Sequence, residues 1–130
     1  MSIRVFIGGG PCPPEEAAIP VFDRGFLFGD SVYETVGTNR GQLVFLDDHL
    51  DRLARSAERI YLRLPARDEI RRAVRETLAA AENPESRVRI VVTRGDGGVD
   101  LDSAAAGQPR LVVIVQPLGG PSSELREAQT

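Results

Sequence analysis

The chain has 130 residues, 42% of them apolar and 27% charged, with a formal net charge of −3. That is enough for one domain with its own core. The negative balance and the absence of tryptophan argue against nucleic acid as a general partner. The apolar runs are too short to span a membrane. One cysteine (Cys12) and one histidine (His49) exclude an internal disulfide and a His/Cys metal cluster. With no secretory signal in its first residues, the chain is expected to be cytoplasmic. All 16 basic residues are arginine. Without a lysine, no side chain here forms a Schiff base with a carbonyl compound.

In chain order, residues 4–7 read as a short strand and residues 8–14 as a Gly/Pro-rich turn. Residues 19–30 read as a loop punctuated by Pro20, Gly25 and Gly29. Residues 31–38 alternate as a strand, Asn39-Arg40-Gly41 is a hairpin turn, and residues 42–46 return as its partner. Two helices follow. The first starts at Asp47 as N-cap and runs to Tyr61, with Leu50, Leu53, Ala54, Ala57, Ile60 and Tyr61 as its inward stripe. The second runs over residues 66–82, with Ile70, Ala73, Val74, Thr77, Leu78 and Ala81 inward, and Asn83-Pro84 ends it. Residues 86–94 and 110–116 are two further strands, joined by a Gly/Asp/Ala-rich loop. Helices grouped between antiparallel-type strands predict an α+β sandwich, an antiparallel sheet with two helices, rather than a doubly wound sheet.

Three places carry candidate chemistry. On a strand, Val88, Ile90 and Val92 share the core face, which leaves Arg87 and Arg89 together on the other, about 6.6–7 Å apart. Such a pair either clamps an anionic group between two guanidinium forks, or is a solvated face answered by acids on a neighbouring strand. Arg52, early in the first helix, is either part of a phosphate site or the i,i+4 partner of Asp48. Tyr33 shares its face with Ser31, Thr35 and Gly37, which suits a pocket wall as well as a structural tyrosine. His49 reads as a helix-start hydrogen-bonding residue, with no acid visibly placed against it. Gly8-Gly9-Gly10 and Gly95-Asp96-Gly97-Gly98 lack the spacing of a phosphate loop and read as turns.

Taken in order, three segments resemble the class IV (fold type IV) pyridoxal-phosphate aminotransferases. Residues 22–34, FDRGFLFGDSVYE, are similar to the family's DRGFxFGDxVYE segment. Residues 48–57, DHLDRLARSA, are similar to its H-[LI]-x-R-L-x-x-S-A helix, and residues 87–95, RVRIVVTRG, to a later strand and turn. The resemblance covers residues 4–118. It implies the small N-terminal α/β sandwich domain of a two-domain subunit, residues 1–118, followed by an interdomain linker over 119–130, in a homodimer with its active site between domains. Arg52 then matches the arginine on the phosphate of pyridoxal 5'-phosphate. Tyr33, Phe26, Arg87 and Arg89 fall on the substrate side, facing amino acids and 2-oxo acids.

Within the family, Arg89 stands where branched-chain enzymes also have arginine, while Arg87 stands where they usually have tyrosine. The Arg-Val-Arg element resembles a subset of D-amino-acid transaminases in which such a pair traps the substrate carboxylate. The loop from Gly95 to Asp102 has neither the arginine nor the histidine of the better-known D-amino-acid enzymes. The resemblance therefore implies a transaminase, with D-amino acids favoured. Branched-chain L-amino acids or aminodeoxychorismate lyase chemistry are the alternatives, and a lysine-free, non-catalytic domain that binds an anion or a partner is the alternative of another class. The family's Schiff-base lysine lies in its second domain, so this chain alone is expected to be inactive and to expose an apolar face where that domain belongs.

Overall fold

A computed structural model describes residues 2–97 and 107–119. Its centre is a six-stranded antiparallel sheet: β1 (Arg4–Ile7), β2 (Gly10–Cys12), β3 (Ser31–Asn39), β4 (Gln42–Leu43), β5 (Ser86–Thr93) and β6 (Arg110–Pro117), in the spatial order β2-β1-β6-β5-β3-β4. Helices α2 (Leu46–Arg59) and α3 (Arg67–Ala81) lie on one face, α2 against β3 and α3 against β1, β2 and β6. This is the expected α+β sandwich.

The alternation of β5 sets the two faces. Val88, Ile90 and Val92 are fully buried beneath the helices and join Val36, Leu50, Leu53, Ile70, Val74, Val113 and Val115 in one core. Arg87 is half-buried and Arg89 exposed on the opposite face, as the period-2 pattern requires. Of the expected inward stripe of the first helix, Leu50, Leu53 and Ala57 are buried. Tyr61 is not: the helix ends at Arg59, and Tyr61 sits beyond it at a φ of 54° with 91% of its surface exposed.

Three boundaries differ from the sequence expectation for local physical reasons. The Gly/Pro stretch forms the short strand β2, paired to β1, followed by a single 3-10 turn, Pro14–Glu16. The stretch read as a loop over residues 19–30 contains α1 (Arg24–Phe28), a one-turn helix. Asp23 caps α1 by accepting from the Gly25 and Phe26 amides at 2.8 and 3.2 Å. Asp47 is not the N-cap of α2. That position belongs to Phe45, in a left-handed conformation with no side-chain cap, and Asp47 instead pairs with Arg71 of α3 at 2.6 Å. The Arg71 pKa is raised, first by that hydrogen bond. The expected linker over 119–130 lies outside the described residues apart from Gly119.

A buried polar knot ties α1 to one end of the sheet. Asp23 is fully buried and accepts from the Thr93 hydroxyl at 2.7 Å and from Arg110. Arg110 also reaches Asp96, and the two carboxylates, Asp96 foremost, hold its pKa above the ordinary arginine value despite partial burial. Asp30 accepts from Arg94 at 2.7 Å and from Arg24 at 3.3 Å, and Arg94 also donates to the carbonyls of Ile60 and Tyr61 beyond α2. The segment over residues 23–30 is thus a structural clasp that carries α1 onto the Thr93 end of the helix-free face.

Candidate active site

The site forms where β3 has a free edge. β5 pairs with β3 from Ser31 to Gly37, while β4 pairs only with Thr38 and Asn39. Residues 31–36 therefore have a strand on one side only among the described residues. The Gly37 carbonyl is turned away from β5, since it accepts from the Val44 amide at 3.0 Å. In an antiparallel strand the backbone groups alternate sides, so those of Tyr33 and Thr35 also open outward along this edge.

Around the edge lies a shallow depression of about 360 Å³, lined by Tyr33, Glu34, Thr35, His49 and Arg52. Tyr33 and Thr35 come from the helix-free face, Glu34 from the core face, and His49 and Arg52 from the first half of α2. A one-sided strand edge is what lets residues from the two faces of the sheet meet. Larger depressions exist elsewhere. One of about 420 Å³ includes Arg72 and Arg110, both of which are already ion-paired.

Glu34 organises the depression. Its side chain is 9% exposed and stands at a core-parity position between Val32 and Val36. A carboxylate there needs partners. His49 Nδ1 lies 2.7 Å from Glu34 Oε1 and Arg52 Nε lies 3.8 Å from Oε2. With Glu34 ionised, the His49 proton sits on Nδ1 and donates to it. The Asp48–Arg52 pair does not form, because Glu34 takes that role. The side chain of Arg52 is 61% exposed and makes no hydrogen bond within the described chain, so its donors are open to a ligand.

On the helix-free face, Arg89 lies over the ring of Tyr33, with Cζ 4.2 Å from the ring centroid. The register places Arg89 opposite Thr35 and Tyr33 opposite Val91, so the contact is a diagonal cross-strand pair. Stacking fixes the plane of the guanidinium while leaving its edge free to meet a carboxylate. Arg87 stands one pleat further, opposite Gly37, on the same face but outside the depression. Phe26 is on α1, 64% exposed, and also outside it. Of the expected site residues, Arg52 and Tyr33 line the depression; Arg89 is outside its lining but stacks on Tyr33, and Arg87 and Phe26 stand outside it without such a contact.

The sequence expectation missed Glu34 and its pairing with His49. Two signals were present: an acid in the apolar parity of β3, and a histidine and an arginine three residues apart on one helix face. Among the described residues no cluster of metal-ligating side chains occurs, and no helix is long and apolar enough to cross a membrane.

The six-stranded sheet, with its two long helices on one face and a depression beside Arg52 at the open edge of β3, recurs as a fold in a known group of proteins. The family model described as amino-transferase class IV matches residues 31–129. A putative branched-chain-amino-acid aminotransferase of Methanocaldococcus jannaschii is 32% identical over 117 residues, covering 89% of this chain and 41% of the relative. A D-alanine aminotransferase of Listeria monocytogenes is 37% identical over 94 residues, covering 72% of this chain and 32% of the relative. Among solved structures, the branched-chain aminotransferase of Thermoproteus uzoniensis with norvaline superposes with a TM-score of 0.79 at 27% identity, covering 92% of this chain and 42% of that one. A hypothetical aminotransferase from Mycobacterium tuberculosis in its PLP-bound form superposes with a TM-score of 0.74 at 25% identity, covering 97% and 44%. The chain belongs to the class IV aminotransferases. It spans about two-fifths or less of the length of these relatives.

Proposed function

We propose that this chain is the cofactor- and substrate-cradling N-terminal part of a pyridoxal-phosphate transaminase that moves an amino group between an amino acid, D-amino acids favoured, and a 2-oxo acid. The observation that carries this reading is the meeting of Arg52, with open guanidinium donors, and the Arg89-stacked Tyr33 at one free strand edge. The residues present fit the phosphate end of the cofactor: an exposed arginine held through Nε by a buried carboxylate. They do not supply its covalent anchor, since the sequence has no lysine. On this reading a second, lysine-bearing domain, in a homodimeric cytoplasmic enzyme, provides that group, and this chain alone is inactive.

When bound, the cofactor supplies the carbonyl that takes up the amino group and the ring that withdraws electrons from the substrate Cα. The chain's own residues bind and orient. Arg52 grips the phosphate, with Glu34 limiting its motion. Arg89, backed by the Tyr33 ring, receives the substrate carboxylate, and Arg87 adds a second positive group beside it. Holding the carboxylate fixes which face of Cα is turned to the reacting centre, so only one enantiomer presents its single Cα hydrogen there.

Arg52→Ala is expected to weaken retention of pyridoxamine 5'-phosphate by about 1.5–3 kcal/mol, the range for a charged hydrogen bond. Equilibrium titration of the protein measures it, and unchanged retention removes Arg52 from the phosphate role. In the lysine-containing enzyme, D-alanine or D-glutamate should change the visible absorbance of the cofactor. A change with L-branched-chain amino acids alone would favour the second reading, to which the Methanocaldococcus relative points. Pyruvate release from aminodeoxychorismate without an amino acceptor would identify a lyase.

A further inference from the structure

We propose that Arg55 and Arg59 steer a phosphate-bearing ligand into the Arg52 site, a role that rests on the reading that Arg52 receives that phosphate. These 130 residues carry a net charge of −3, a background that disfavours the approach of a dianionic phosphate to this part of the protein. The depression does not correct this: the charge of Arg52 is answered by Glu34, and the exposed Asp48 lies one turn before it on α2. Capture against that background needs further positive charge outside the ion-paired core of the site.

Two acids of α2 face α3, while Asp48 heads the arginine stripe one turn before Arg52. Asp47 and Asp51 point towards α3 and are tied to Arg71 and Arg67 at 2.6 and 2.7 Å. Arg55 and Arg59 follow Arg52 by three and seven residues, which places all three in one stripe along the helix. All three are exposed, and the side chains of Arg55 and Arg59 make no ion pair or hydrogen bond among the described residues. Arg94 anchors the carbonyls of Ile60 and Tyr61 beside Asp30, just before β3. The C-terminal half of α2 therefore runs back along β3, with Arg55 and Arg59 on its solvent side. Arg55 and Arg59 lie about 4.5 and 10.5 Å from Arg52 along the axis. Both distances are comparable to the screening length of about 10 Å at 0.1 M salt. Two unpaired guanidinium groups at that range are felt by an approaching dianion, and they contribute little once it is seated on Arg52.

The test follows association of pyridoxamine 5'-phosphate, which needs no lysine, by stopped-flow fluorescence on the protein carrying this sequence. Arg55→Gln/Arg59→Gln is expected to slow association about tenfold at 0.01 M salt and about threefold at 0.1 M, with no difference at 1 M. Dissociation should be unchanged, Arg55→Lys/Arg59→Lys should restore the rate, and pyridoxine, which lacks the phosphate, should be indifferent to both. Equal rates for wild type and the glutamine double variant at low salt, with binding still abolished by Arg52→Ala, would overturn the steering and leave the Arg52 reading standing. Failure of Arg52→Ala to weaken binding, or absence of binding altogether, would overturn both.

Discussion

Gly95 is held by two separate constraints. Its φ is +90°, and a Cβ there would stand 2.0 Å from the Gln108 carbonyl oxygen. Backbone cannot step aside as a side-chain end can, so Gly95→Ala is expected to destabilise the fold by at least about 2 kcal/mol, read as a lower denaturant midpoint. An unchanged midpoint would show that the Gly95–Gln108 approach is not close in solution. The Gly95 carbonyl also accepts from the Arg24 amide at 2.8 Å, so the loss should loosen the clasp beneath α1 first. The turn was legible from the glycine alone, but its reason was not, because Gln108 is far along the chain. Glu34 shows the same divide. Its parity on β3 marks it as inward-facing, yet only the packing of α2 reveals that His49 and Arg52 meet it.

The β3–β4 hairpin depends on a residue from outside the hairpin. Glu85, just before β5, accepts from the Thr38 hydroxyl at 2.6 Å and from the Arg40 and Gly41 amides, two turn residues with positive φ. The Thr38 hydroxyl, followed by the Gly41 amide, lowers the Glu85 pKa below its ordinary 4.5. A lowered folded-state value means the clamp stabilises fully above the unfolded value and is lost as pH falls through the folded one. Protection of the Arg40 and Gly41 amides, measured against their intrinsic exchange rates, should therefore fall in acid, beginning below the ordinary glutamate range. Glu85→Gln should remove that pH dependence, and a wild-type profile in the variant would contradict the clamp. Asn39-Arg40-Gly41 announced the turn in the sequence. The brevity of β4 was not announced, because Phe45 leaves the strand at a φ of 57°, a conformation no propensity favours for phenylalanine.

Among the described residues, the segment around α1 gathers the largest run of exposed apolar side chains. Val21, Phe22 and Phe26 are 59%, 50% and 64% exposed, with Ile19 and Phe28 nearby in sequence. Large apolar side chains gathered in one segment favour association. Sedimentation of this chain should show concentration-dependent association, reduced by Phe22→Ser/Phe26→Ser. A monomer at all concentrations would count against a covering domain over this surface.

The sequence by itself determined the α+β class, the two long helices, the parity of β5 and hence the side on which Arg87 and Arg89 stand. These follow from periods of 3.6 and 2, which are local properties of the chain. Only the tertiary structure decided that β3 has one open edge among the described residues, that Glu34 bridges His49 and Arg52 there, and that Arg89 stacks on Tyr33 while Arg87 and Phe26 do not. Each of those joins residues from different elements. Contacts of that kind are set by strand order and helix docking, which periodicity does not encode.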